Sequence, residues 1–285
     1  MKKVIVAADS TCDLSPELIA RYGIQIIPLS VHLGDEEYID GVDIDPEKIY
    51  AHYEKNKELP KTAAPNIARF RDFFAEQTAM GHAVICFTIS SDMSSTFNNA
   101  RLAATEFDDV HVVDTRNLST GGGLLVVEGC EMAQKGIEAG EIAEACRALA
   151  ARIDASFVVD DLEFLHKGGR CSAVAAFGAN LLQLKPCITV NGGKMGVGKK
   201  YRGKFSAVLE KYVIDRLGDA SDVELDRIFV THAGCDEATV AQCVAQVEAT
   251  APFGEVLVTR AGCTVSSHCG RNTLGVLFIR KSPLN

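Results

Sequence analysis

Three hydroxyl-rich segments stand where short apolar runs end: Asp9-Ser10-Thr11-Cys12-Asp13, Ser90-Ser91-Asp92-Met93-Ser94-Ser95-Thr96 and Asp114-Thr115-Arg116-Asn117-Leu118-Ser119-Thr120. Hydroxyls, and the free N–H groups at a helix start, are donors with a partial positive field behind them. They suit a carboxylate, a phosphate or another polar headgroup. One such loop alone reads as ordinary capping, because Ser and Thr are favoured caps. Three converging at one sheet edge point to a ligand.

Other chemistry-bearing patterns read more weakly. Gly193-Lys194-Met195-Gly196-Val197-Gly198-Lys199 nearly spells a phosphate-binding loop, but Lys200 stands where a Ser or Thr would bind magnesium. A basic, glycine-rich turn is the better reading. There is no G-x-S-x-G, no H-E-x-x-H and no G-x-G-x-x-G after the first apolar run. His232 closes the run Val230-Thr231-His232 and reads equally as a functional or a core histidine. The ten cysteines include no C-x-x-C pair and read as small buried apolar residues with reduced thiols. His268-Cys269 is a poor nucleophile pair, since neighbours on a strand point to opposite faces.

The elements that would position these loops follow an α/β pattern. Val4 to Ala8, Ala83 to Phe87 and Val110 to Val113 are apolar runs without alternation, as parallel strands covered on both faces require. Ser15-Pro16-Glu17 and Asp45-Pro46-Glu47 each place a cap before a proline at the first helical position. Ile67, Phe70, Phe73 and Phe74 form a helical stripe. The expectation for residues 1–150 is an N-terminal α/β domain with an open, mostly parallel sheet. For residues 151–285 it is a C-terminal α+β domain, with strands at Phe157 to Val159, Cys187 to Val190, Ile228 to Thr231, Val256 to Thr259 and Val276 to Ile279. Asn191-Gly192-Gly193 predicts a hairpin, which a purely parallel sheet would not contain.

Composition excludes several classes. With 29 Lys and Arg against 38 Asp and Glu, the net charge of −9 argues against nucleic acid and anionic lipid surfaces as partners. The apolar run after Lys2-Lys3 stops at Asp9, too short for a signal peptide, and no apolar stretch is long enough for a membrane span. A cytoplasmic protein is expected.

Read together and in order, these motifs resemble the DegV family. They are Asp9 to Leu14, Thr62 with Pro65, Ser90-Ser91 with Ser94-Ser95-Thr96, and Val113-Asp114-Thr115 with Ser119. The second half adds Gly168-Gly169-Arg170-Cys171-Ser172, Leu184-Lys185-Pro186, Tyr201-Arg202-Gly203-Lys204 and Ser267-His268-Cys269-Gly270. The resemblance implies two α/β domains with a ligand tunnel between them, holding a palmitate-like fatty acid and presenting it to a fatty-acid kinase. By motif position, Thr62 and Ser94 would bond the carboxylate, His268 would lie beside the headgroup, and Arg170 near the mouth. Arg202 is a weaker candidate for the kinase contact. No catalytic group, metal or cofactor is implied beyond the bound acid. A sixteen-carbon tail, at roughly 0.8 kcal/mol per buried methylene, would supply on the order of 10 kcal/mol before ordering costs.

Three departures bear on the ligand. Ala63-Ala64-Pro65 replaces the family's Ser-Gln-Pro, Ser95 replaces a glycine, and Arg271-Asn272 replaces Pro-Gly. Asn272 can still adopt a left-handed conformation, whereas Arg271 would add a cation near the headgroup or point to solvent. The alternative function is a small-molecule hydrolase or transferase using Ser94 and His268 with Asp9 or Asp114; a lipid-supply sensor is a third reading. Phe74, Phe177, Leu181 and Leu182 are candidate tunnel liners, each more simply read as plain packing.

Overall fold

The computed structural model describes residues 2–175 and 184–284. The first half runs β1 (Val4–Asp9), α1 (Pro16–Tyr22), β2 (Gln25–Ile27), β3 (Ser30–Leu33), β4 (Glu36–Ile39), α2 (Pro46–Asn56), β5 (Lys61–Ala63), α3 (Ile67–Ala79), β6 (Ala83–Thr88), α4 (Thr96–Ala104), β7 (Val110–Asp114), α5 (Ser119–Gln134) and α6 (Ala139–Leu149). The second half runs β8 (Ile153–Val159), α7 (Glu163–Lys167), α8 (Ser172–Ala175), β9 (Lys185–Asn191), β10 (Lys194–Tyr201), α9 (Phe205–Leu217), β11 (Val223–Ala233), α10 (Glu237–Thr250), β12 (Glu255–Arg260), α11 (Cys263–Cys269) and β13 (Thr273–Arg280).

The architecture is α/β. A four-stranded sheet has the order β2-β1-β6-β7, with every pairing parallel. The expected apolar runs are its three longer strands, and β6 is buried along its whole length. Helices cover both faces. Phe70, Phe74, Ala100 and Ala103 of α3 and α4 pack on Ala7, Val84 and Cys86, while α5 and α6 pack on Val6, Ala8, Ile85 and Phe87. The alternation of sides along β1 and β6 follows from the period of two. Phe74 therefore belongs to the outer helix layer, away from any ligand. Phe177, Leu181 and Leu182 lie outside the described residues.

A six-stranded sheet has the order β10-β9-β8-β13-β11-β12, antiparallel except for β11 with β12. Val158, Val230, Val276 and Phe278 face α9 and α10. Ala155, Phe157, Phe229 and Leu277 face inward and join the cluster that contains α5. That helix is buried along most of its length, as a helix between two sheets must be. Its glycine-rich first turn allows the approach: a Cβ on Gly123 would lie 2.7 Å from the Cys12 carbonyl oxygen.

The expected hairpin joins β9 to β10, with Gly192 and Gly193 at φ 55° and 89°. The near phosphate loop is thus an antiparallel strand. The expected caps are also formed, Ser15 accepting from Leu18 N and Asp45 from Lys48 N. A third, antiparallel sheet of order β4-β3-β5 was not anticipated. It places Thr62 opposite Val31.

Candidate functional site

A cavity of about 390 Å³ lies between the carboxyl ends of the parallel strands and the inner face of the six-stranded sheet. Such a volume falls within the ~300–1,000 Å³ common for small-molecule sites. Leu29, Ile89, Met93 and Leu118 line it from the first half, and Phe157, Leu165, Met195, Val265 and Leu277 from the second. All four residues singled out from the sequence also line it: Thr62, Ser94, Arg170 and His268.

Each arrives on a different element. Thr62 is the middle residue of β5. Ser94 stands just before α4, where its hydroxyl accepts from Thr96 N at 3.3 Å and meets Thr96 Oγ1 at 2.8 Å. His268 occupies the last turn of α11, and its Nε2 lies 2.8 Å from Thr62 Oγ1. This bond joins residues 206 positions apart and brings two sequence motifs into one cluster. Arg170 is exposed at the cavity wall and donates to the Gly168 carbonyl at 2.8 Å.

Burial, with the nearby Arg170 guanidinium second, pushes His268 down to about 4. The imidazole is therefore neutral at physiological pH and serves as a donor or an acceptor without a charge. Its Nδ1 is buried without a hydrogen-bond partner among the described residues. No carboxylate orients the ring, and no hydrogen bond joins Ser94 to His268 among the described contacts. Asp9 is engaged elsewhere, accepting from Thr11 N at 2.9 Å and from Ile89 N at 2.7 Å. Asp114 accepts from Ser91 N and Arg116 N. Cys269 Sγ donates to the Gly270 carbonyl, and burial pushes its thiol up to about 12, so no thiolate forms there. The pair His268-Cys269 sits on a helix, not the strand expected from its sequence.

The hydroxyl loops divide unequally. Ser94 and Ser95 of the second and Ser119 of the third reach the cavity. The first turns inward, Ser10 donating to Asp40 Oδ2 at 2.8 Å and Thr11 held by Asp9. Ser119 also bonds Asp13. The hairpin tip closes over this edge: Ser90 Oγ donates to the Gly193 carbonyl at 2.7 Å, and Arg116 pairs with Asp92 at 2.7 Å while bonding the Gly192 carbonyl. Gly193 is required here, since a Cβ would lie 2.7 Å from Ser90 Oγ.

The departures from the resembled pattern find simple places. Ala64 contributes an apolar wall to the cavity. Ser95 sits in ordinary helical conformation at φ −74°. Asn272 takes φ 54°, the left-handed conformation expected of it. Arg271 is not part of the cavity lining; it lies over the Tyr50 ring at 4.4 Å and is paired with Glu47. His232 lines the cavity too, half-buried, with burial lowering its affinity for a proton.

Sequence reasoning missed Thr231 and Thr264 in the cavity wall. Thr231 Oγ1 lies between Thr120 Oγ1 of α5 at 2.6 Å and Thr259 Oγ1 of β12 at 2.9 Å, a contact set that only the packing of α5 on the paired β11 and β12 reveals. Among the described residues no cluster of His, Cys, Asp or Glu could hold a metal ion. None of their helices is long and apolar enough to cross a membrane.

An apolar cavity between two sheets, with hydroxyls and a neutral imidazole in its lining, has the make-up of a site for an amphiphilic small molecule. The chain belongs to the DegV family, whose family model, described as an uncharacterised protein of that family, matches residues 3–281. A DegV domain-containing protein of Clostridium acetobutylicum is 31% identical over 283 residues, covering 99% of this chain and 100% of that one. A solved DegV family protein from Thermus thermophilus, described as binding fatty acid, superposes with a TM-score of 0.88 at 30% identity, covering 98% of this chain and 99% of the other. A stearic-acid-binding protein from Eubacterium ventriosum superposes at 0.84 with 27% identity, covering 99% of both chains.

Proposed function

We propose that this protein binds a long-chain fatty acid of the palmitate class in the cavity, without turning it over, and presents it to a fatty-acid kinase in the cytoplasm. The observation that carries the reading is the joining of Thr62 and His268 at 2.8 Å in the same cavity as Ser94, beside an apolar wall. A carboxylate withdrawn from water needs strong donors, and two hydroxyls with a neutral imidazole supply them. The acyl tail lies along Phe157, Met195 and Leu277. Affinity comes from the tail and orientation from the headgroup. Arg170, exposed at the wall, faces the mouth, and Arg202 is the proposed kinase contact. We also read the boundary near residue 150 as the division between an N-terminal and a C-terminal domain.

The relatives described as fatty-acid binders support the ligand class. Among the described residues the Ser94 hydroxyl bonds Thr96 and no base, which supports a carrier over a hydrolase. Denaturing extraction and mass spectrometry of protein purified from a bacterial host is expected to release a long-chain acid, and stripped protein to rebind palmitate. Protein that carries no lipid and ignores added palmitate would end this reading. Ester turnover abolished by His268→Ala would favour the hydrolase instead.

A further inference from the structure

Helix α11 carries Thr264, Val265, His268 and Cys269 to the cavity wall. Its N-cap is Gly262, which has no side chain with which to hold the first turn. The first-turn N–H groups are bonded across the molecule instead. Gly262 N donates to Asp13 Oδ1 at 2.8 Å, Cys263 N to Asp40 Oδ1 at 2.8 Å, and Thr264 N to Asp40 Oδ2 at 3.2 Å. The second oxygen of Asp13 accepts from Ser119, and Ser10 Oγ donates to Asp40 Oδ2 at 2.8 Å. Both carboxylates are buried, at 6% and 3% exposure, and neither lines the cavity.

We propose that Asp13 and Asp40 are positioning residues for the headgroup, acting through α11 to set His268 Nε2 against Thr62. The proposal rests on the reading of the cavity as an acid site. A helix of seven residues is less than two turns of chain from its cap to its end. Whatever fixes its first N–H groups therefore fixes its last side chains. With glycine at the cap, the fixing groups are the carboxylates that follow β1 and β4, more than two hundred residues earlier in the chain. Ser10 and Ser119 orient those side chains in turn, which gives Ser10, itself outside the cavity lining, a role in the site without contact with the ligand.

The test uses the full chain with Asp40→Ala, Asp40→Asn and Ser10→Ala, reading palmitate affinity and, separately, the titration of the His268 imidazole by NMR without ligand. Asp40→Ala is expected to weaken palmitate binding about tenfold. Its imidazole should move up from about 4 toward the ordinary 6.5 as the ring gains water. Asp40→Asn keeps one acceptor oxygen and should restore most of the native titration. Ser10→Ala should give a smaller shift in the same direction, and it serves should Asp40→Ala fail to fold. An imidazole titration unmoved in Ser10→Ala and in every folded Asp40 variant would overturn the proposal, whatever happens to affinity. Wild-type protein that takes no palmitate would defeat the acid reading instead, leaving the ligand-free imidazole comparison to judge the positioning.

Discussion

The loops after β1 and β6 are built from much the same residues and stand at the ends of paired strands, yet they do opposite things. In the first, the hydroxyls of Ser10 and Thr11 are spent on the buried side chains of Asp40 and Asp9. In the second, the acid is Asp92, which is exposed and engaged with Arg116 and Lys194. Asp9 and Asp114 meet this loop through the backbone N–H groups of Ile89 and Ser91, while Ser94 shares its hydroxyl with Thr96 and lines the cavity. Hydroxyl content therefore does not say which loop faces the cavity. In these two loops the difference lies in what the hydroxyls bond.

This contrast can be broken most sharply at Asp9. Asp9→Ala leaves Thr11 N and Ile89 N without their acceptor, and a loss of about 3 kcal/mol in denaturant unfolding is expected. A loss below ~0.5 kcal/mol would mean that the inward loop is not a brace.

Next in size is a pH effect. Burial pushes Asp9 up to about 6 and Asp13 up to about 8, from an ordinary 3.8. The folded state thus holds these protons more tightly than the unfolded chain. Their contribution to stability is full below 3.8 and is lost as pH rises through about 6 and then about 8. Unfolding free energy should fall across that window by up to ~1.4 kcal/mol per pH unit for each group. Asp13→Asn should flatten the upper part of the decline, and an unchanged profile would remove Asp13 from the account.

The smallest effect belongs to the outward loop. Ser94→Ala should weaken palmitate binding by roughly three- to tenfold, a loss of about 1 kcal/mol. Its unfolding free energy should stay within ~0.5 kcal/mol of wild type. Equal affinity in isothermal titration would show that Ser94 lines the cavity without bonding the acid.

How much of this was readable in advance follows from the range of the forces involved. Unbroken apolar runs announced β1, β6 and β7, because strands covered on both faces need no alternation. The caps at Ser15 and Asp45 and the Gly192-Gly193 turn were equally plain, being decided within a few residues. The sheet β4-β3-β5 was not, since its strands are only three or four residues long and Glu36-Glu37 breaks the alternation of β4. His268 looked like a strand residue because the apolar Cys263 and Val265 alternate with Thr264 and Ser266, although the segment is a helix. Resemblance, not pattern, put it beside the same headgroup as Thr62, and the direct bond between the two was not foreseen. The bonds from Asp13 and Asp40 to α11 had no signal at all, since nothing local marks a carboxylate as the cap of a helix formed over two hundred residues later.

One hydrophobic cluster contains Ile85 and Phe87 of the parallel sheet, Leu124 and Leu125 of α5, and Phe229 and Leu277 of the mixed sheet. A hinge that swung the two sheets apart would tear this shared interior and wet it. On the acid-binding reading proposed above, entry and exit would then go by local loosening at the rim, with exchange rates tracking the mobility of that rim rather than the stability of the whole.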